Sequence, residues 1–197
     1  ECLDYIYLLI VNLETANLPL PNDEASLLLA LLVEKLGIIP STFKPMLQKI
    51  FEKIGVCCPP LKVGSALVQG LNSKNAKTKQ ESIDMLTHVL KFYGADILSA
   101  KDIKTYAKLT FHNDIGIKNS ATSLLRALVE AMGAEILKVL GSDISPKVRE
   151  LISSKIDPSK GMAIEEPVKQ NSPQSDKDTP VVQLTKAPSF TESQKKV

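Results

Sequence analysis

Two histidines and three cysteines are the side chains here best suited to nucleophilic, acid–base or metal chemistry. Such chemistry needs groups that converge. His88 lies beside the apolar stripe of one helical segment, and His112 opens a polar turn next to Asn113 and Asp114. Cys57 and Cys58 are adjacent and Cys2 stands alone, an odd set with no paired CxxC spacing. They read as reduced thiols of a cytosolic protein, not as a disulfide framework or a zinc site. No spacing supports pairing either histidine with Cys57 or Cys58. No glycine-rich phosphate loop follows a strand, because no strand is expected. The chain is therefore read as non-enzymatic, with no cofactor and no metal.

The denser chemistry is cationic. Residues 70–90 read GLNSKNAKTKQESIDMLTHVL, which places Lys74, Lys77 and Lys79 at the mouth of a helix. The helix dipole already makes that end positive, so each lysine there opposes local stability by a few tenths of a kcal/mol. Helix formation does not explain them; a partner with negative charge would.

The whole-chain composition limits what that partner is. The net charge is only +2 over 197 residues, with 44% hydrophobic and 23% charged residues. A nucleic-acid binder would carry a broad basic face, so none is expected. The run LLLALLV at 27–33 is too short and too closely flanked by charge to cross a membrane. Any electrostatic function must be local.

The elements that would position the lysines repeat. FEKIG, LKFYG and VEAMG end at Gly55, Gly94 and Gly133, spaced 39 residues apart twice. Each glycine is expected to stop a helix in the left-handed conformation. The preceding stripes share one register: Phe43, Met46, Leu47, Ile50, Phe51 and Ile54; Ile83, Leu86, Val89, Leu90 and Tyr93; Ala121, Leu124, Leu125, Leu128, Val129 and Met132. Stepping back by 39 takes Leu125 to Leu86, Leu47 and Leu8, so residues 3–16 read as the second helix of an earlier unit. Shorter first helices are expected near 22–36, 60–71, 101–111 and 134–141, and residues 145–156 close the stack. This is an all-α solenoid of HEAT-type helix–turn–helix repeats. It spans residues 1–156, lacks its N-terminal repeat or repeats, and reads as a fragment of something longer. Residues 157–197 hold five of the twelve prolines and six residues of each charge sign, a disordered linker with Ser172-Pro173 and Thr179-Pro180 as phosphorylation candidates.

In a solenoid, the turns inside successive repeats share one edge. Here they read GIIPST (37–42), NSKNAKTK (72–79) and HNDIGIKN (112–119). Stepping back by 39 takes Lys118 to Lys79, so two stacked turns carry a lysine at one position. Lys74 and Lys77 enlarge the second turn, and Lys44 is a looser match in the first unit. A single such lysine reads as an ordinary turn residue; the repetition points to a site for an acidic protein surface.

The segments NDEASLLLALLVEKLG (22–37) and SKNAKTKQESIDML (73–86), with the ending LKFYG, resemble the TOG domains of the microtubule polymerase, or cytoskeleton-associated, family. NDEAS before an apolar helix resembles the fourth domain of the vertebrate arrays more than the first two. The resemblance covers about residues 1–156. It implies a flat paddle of HEAT-type repeats whose turn edge binds αβ-tubulin or the microtubule lattice and acts with other TOG domains of the same chain at plus ends. It implies a location on cytoplasmic microtubules, spindle poles and centrosomes. The tubulin-contacting positions it implies are Lys79 and Lys118, with Lys77, Lys74, Asn75, Asn119 and Lys44 nearby. The apolar GIIPST departs from the family's charged pattern. Two alternatives stay open: a HEAT scaffold for another protein partner, and a structural spacer without tubulin contact.

Overall fold

A computed structural model describes residues 1–141 and 144–156. The linker expectation for 157–197 and its two Ser/Thr-Pro sites lie outside the described residues. Among the described residues nine α-helices run in chain order: α1 (Cys2–Thr15), α2 (Asn22–Lys35), α3 (Lys44–Cys57), α4 (Pro60–Gln69), α5 (Ala76–Tyr93), α6 (Ala100–Leu109), α7 (Ile115–Met132), α8 (Glu135–Leu140) and α9 (Pro146–Ile156). Three short 3₁₀ turns, Ser41–Phe43, Gly70–Asn72 and Ala95–Ile97, complete the order. No strand occurs among the described residues. The all-α solenoid read from the periodicity is what the chain forms.

The odd-numbered helices make one layer, α1 on α3 on α5 on α7 on α9. The even-numbered helices back them: α2 packs on α4, and α6 on α8. Between α4 and α6 the Ala95–Ile97 turn fills the layer and packs on α4. The stripes interlock between the layers. Ile50, Phe51, Ile54, Ile83, Leu86, Val89, Leu124 and Leu128 are wholly inaccessible to solvent. Burying each such side chain contributes about 1.5–3 kcal/mol.

The helix ends follow side-chain chemistry. Asn75 Oδ1 accepts from the Lys77 amide at 2.9 Å, and Asp114 Oδ1 from the Ile117 amide at 3.1 Å. Each satisfies a donor that the first helical turn would otherwise leave free. Ser99 and Asp102 form a reciprocal capping box on α6. Gly94 (φ 71°) and Gly133 (φ 55°) stop α5 and α7 in the positive-φ region, as the repeat predicts.

Gly55 does not behave as predicted. It lies inside α3, which continues to Cys57. A Cβ on Gly55 would meet Tyr93 Cζ at 2.6 Å. This glycine lets the Tyr93 ring of the next repeat seat against the helix backbone, where the Tyr93 hydroxyl donates to the Glu52 carbonyl. A shared position in the repeat thus serves two purposes, chain termination twice and close packing once.

The register also slips at the first helix. Leu8, equivalent to Leu47 by the 39-residue step, is exposed, and Ile10 is buried instead. α1 turns Leu3, Ile6, Tyr7, Ile10 and Leu13 towards the core. Adding 44, not 39, carries that set onto Leu47, Ile50, Phe51, Ile54 and Cys57. The extra residues sit in α2 and in the longer links flanking it. Asn17 takes a positive φ of 51° there, and the Leu20 amide ties the link to the Cys57 carbonyl at 2.8 Å.

Candidate functional site

The starts of α3, α5 and α7 stand side by side along one edge. Gly37, in the turn before α3, touches the start of α5 so closely that a Cβ would lie 2.4 Å from the Thr78 amide nitrogen. Gly116, at the start of α7, would carry a Cβ 2.8 Å from the Gln80 side-chain oxygen. Three intra-repeat turns therefore form one continuous rim.

That rim holds all seven site residues read from the sequence, in three different states. Asn75 is committed as the N-cap of α5. Lys44 and Lys77 are both ion-paired to Glu81, each Nζ standing 2.8 Å from one of its oxygens. Lys44 also reaches Asp84 at 3.8 Å. Glu81 is mostly covered, and burial works to raise its pKa. Hydrogen bonds from Lys44 and Lys77 outweigh burial and hold its carboxyl below the usual carboxylate range. The hydrogen bond to Glu81 likewise raises the Lys77 pKa against a smaller effect of burial. Lys74, Lys79 and Lys118 have no carboxylate within ion-pair distance among the described residues. Lys74, Lys118 and Asn119 are exposed, and Lys79 is half-buried.

Sequence reasoning missed Glu81, which joins two repeats, and the apolar part of the rim. Ile38 (66% exposed) and Phe43 (47%) flank the first turn; Phe111 (48%) and Ile115 (73%) flank the third. Ile115 was legible, since it sits two positions before Ile117 and so faces away from the α7 core. Stepping back from Lys79 by 39 gives Pro40, and α3 begins seven positions later in the repeat than α5 does. Pro40 is extended (φ -55°, ψ 144°) and keeps the chain out of the helix there, whereas Pro45 sits in the first turn of α3, where no intrahelical bond needs its missing amide. The first turn thus presents Ile38 and Phe43 where the second presents lysines.

Elsewhere, among the described residues, no hydrogen bond joins a cysteine to a histidine. Cys57 and Cys58 are buried, and burial pushes both thiols up. Cys57 Sγ donates weakly to the Ile10 carbonyl at 3.7 Å. His88 Nε2 lies 2.5 Å from Glu52 Oε1, with its ring tilted on Phe92 at a 5.4 Å centroid distance. His112 Nδ1 accepts from the Asp114 amide at 3.0 Å. Among the described residues no three metal-ligating side chains cluster, and no helix is long and apolar enough to cross a membrane.

The described residues form a two-layered HEAT-type solenoid, a repeat module with one edge of cationic and apolar turns. The XMAP215/Dis1/CLASP TOG domain profile matches residues 19–152. The chain belongs to this TOG domain family. It is 24% identical over 122 residues to Protein mini spindles of Drosophila melanogaster, covering 62% of this chain and 6% of that protein. It is 27% identical over 119 residues to Protein MOR1 of Arabidopsis thaliana, covering 60% and 6% respectively. The fold superposes with a TM-score of 0.68 at 22% identity on a chain solved in work on TOG–tubulin binding specificity, microtubule dynamics and mitotic spindle formation. That match covers 79% of this chain and 59% of the other. The TOG domain of Zyg9 from C. elegans superposes with a TM-score of 0.66 at 21% identity, covering 80% and 59%. The chain thus spans about three fifths of these solved chains and a small fraction of the full-length relatives.

Proposed function

We propose that this chain is a tubulin-binding TOG module that regulates microtubules without turnover of its own. Its rim docks αβ-tubulin, in solution or in the lattice, and it works beside other TOG domains of the same polypeptide to support plus-end polymerisation. The observation that carries this reading is the rim itself: unpaired Lys74, Lys79 and Lys118 interleaved with exposed Ile38, Phe43, Phe111 and Ile115. Cations at the periphery steer an acidic partner and set the on-rate, while desolvated apolar groups supply the durable contact. Microtubules, spindle poles and centrosomes are the corresponding location, and neither nucleic acid nor membrane is a partner. Two parts of the reading rest on other signals. The fourth position in an array rests on the NDEAS segment, and a further helix pair packed on α1 rests on the exposure of Tyr5, Leu8 and Leu9.

The test is gel filtration of the chain, extended upstream to complete its repeats, with soluble αβ-tubulin at low and moderate salt. Co-elution that weakens with salt and is lost in the Lys79→Glu/Lys118→Glu double variant supports the rim mechanism. Rim charges act within a Debye length of about 8–10 Å, so the salt response should be steep. Co-elution unchanged in the double variant would put the contact elsewhere. Absence of co-elution at low salt favours the spacer reading, for which Pro40 and the apolar first turn are the specific support.

A further inference from the structure

A recess lies away from the ion pairs of Glu81, towards the end of the described solenoid. α6 presents Lys104, Ala107 and Lys108 along one face, at the i, i+3, i+4 spacing, and Phe111 follows in the turn just beyond it. Leu140, at the end of α8, and Val148, on α9, stand opposite, with Ile144 and Ser145 between them. Together they enclose a pocket of about 340 Å³. Its floor is apolar: Ala107, Leu140 and Val148 are buried, and Phe111 supplies an exposed aromatic wall. Its rim is cationic. Lys104 and Lys108 are exposed, and neither has a carboxylate within ion-pair distance among the described residues. Lys101 extends the same row towards the start of α6.

We infer that this pocket docks an extended acidic segment of a partner protein, seating one aromatic or branched aliphatic side chain on the floor and placing carboxylates against Lys104 and Lys108. The geometry and the charge select this occupant. Four residues along a helix advance about 6 Å. Alternate residues of an extended strand advance about 6.6–6.8 Å, so carboxylates two positions apart on the peptide meet both lysines. The volume lies at the lower end for ligand pockets, enough for a single anchor side chain. Among the described residues no carboxylate, amide side chain or histidine lines the pocket to orient a polar small molecule. Two or three lysines in one row give too narrow a basic face for nucleic acid. This docking site is independent of the tubulin reading, since only Phe111 belongs to both surfaces.

The test is fluorescence polarisation with a short fluorescein-labelled extended peptide whose two glutamates and one phenylalanine occupy alternate positions, so that all three share one face, titrated with the full 197-residue chain at low salt. Saturable binding is expected, weakened at least about tenfold in the Lys104→Glu/Lys108→Glu variant by the reversal of two ion pairs. Replacing the peptide's phenylalanine by alanine should weaken it comparably. The Lys79→Glu/Lys118→Glu variant should bind like wild type, which separates this site from the tubulin rim. Both pairs of lysines are solvent-facing or half-buried, so unchanged thermal midpoints will show that the fold survives. Equal affinity for the same peptide with lysines in place of its glutamates, equal affinity in the Lys104/Lys108 variant, or no binding of the acidic peptide at millimolar chain would overturn the proposal.

Discussion

Glu81→Gln is the substitution that most directly separates the stabilising charges of the rim from its free ones. Glu81 is 14% exposed, and its oxygens stand 2.8 Å from both Lys44 and Lys77. Breaking a fully buried ion pair costs about 3–5 kcal/mol, whereas an exposed pair contributes about 0.2–1 kcal/mol. Lys44 and Lys77 are 37% and 55% exposed, which discounts the value strongly towards the lower range. Glutamine also keeps one acceptor. A loss of about 1–2 kcal/mol follows, which lowers the thermal midpoint by about 3–6 °C for a fold of this size. The pH dependence is specific. The folded-state pKa of Glu81 is depressed, so its contribution is present above the unfolded value of about 4.3 and disappears as pH falls through the folded value. Calorimetry at pH 7 should therefore separate wild type from variant, and the gap should narrow as the pH falls below the unfolded value of about 4.3. In the tubulin assay the same substitution releases Lys44 and Lys77 and adds one positive charge to the rim. Binding should strengthen or hold while stability falls, the reverse of the Lys79/Lys118 charge reversal. Equal midpoints at pH 7, or a gap that persists unchanged at pH 3, would refute the clamp.

Three further outcomes follow from the packing. Gly55→Ala should destabilise the chain by about 1–2 kcal/mol in urea unfolding, although alanine is ordinarily favoured in a helix interior by about 1 kcal/mol, because its Cβ would strike the Tyr93 ring; in a Tyr93→Leu background the cost should shrink. Burial pushes Tyr93 up to about 12, so its tyrosinate absorbance should appear near there while unfolded tyrosine titrates near 10. The folded chain then holds the extra proton between those values, and stability should fall as pH rises through that window. Tyr5→Lys combined with Leu8→Lys should reduce dye binding and self-association without lowering the thermal midpoint, because both side chains are exposed on the outer face of α1.

Sequence periodicity made the helices legible because each second helix must bury one stripe against both neighbours, and that demand leaves Leu47, Leu86 and Leu125 at equivalent positions. It failed at two points where a local constraint outranks the repeat. At Gly55 the need is for space, and a glycine that clears a ring in the next repeat is indistinguishable in sequence from one that ends a helix. At Leu8 the register shifts because α2 and the links flanking it are longer than α4 and its links, and a fixed period cannot anticipate those extra residues. The candidate site was legible as to place: the helix starts with their lysines do share one edge. Their states were not legible. Lys77 and Glu81 are an i, i+4 pair that sequence could have shown. The second arm, from Lys44 to Glu81, depends on how two repeats stack.

That distinction changes what the lysines at the mouth of α5 are for. Lys77 opposes the helix dipole, but Glu81 one turn on cancels it and the same carboxylate captures Lys44 from the preceding repeat. This half of the cationic cluster fastens two repeats together. Lys74 and Lys79 have no such carboxylate among the described residues, and neither does Lys118 in the next turn. A partner that supplies carboxylates to them gains charge complementarity without first breaking an internal ion pair, the cheaper route to a docking surface. The apolar side chains on either side lie open in the same rim, Ile38 and Phe43 before it, Phe111 and Ile115 after it. Binding there should therefore be cationic in its centre and apolar at its flanks. Truncating Ile115 or Phe43 to alanine should slow association little and speed dissociation, while neutralising Lys79 should do the reverse.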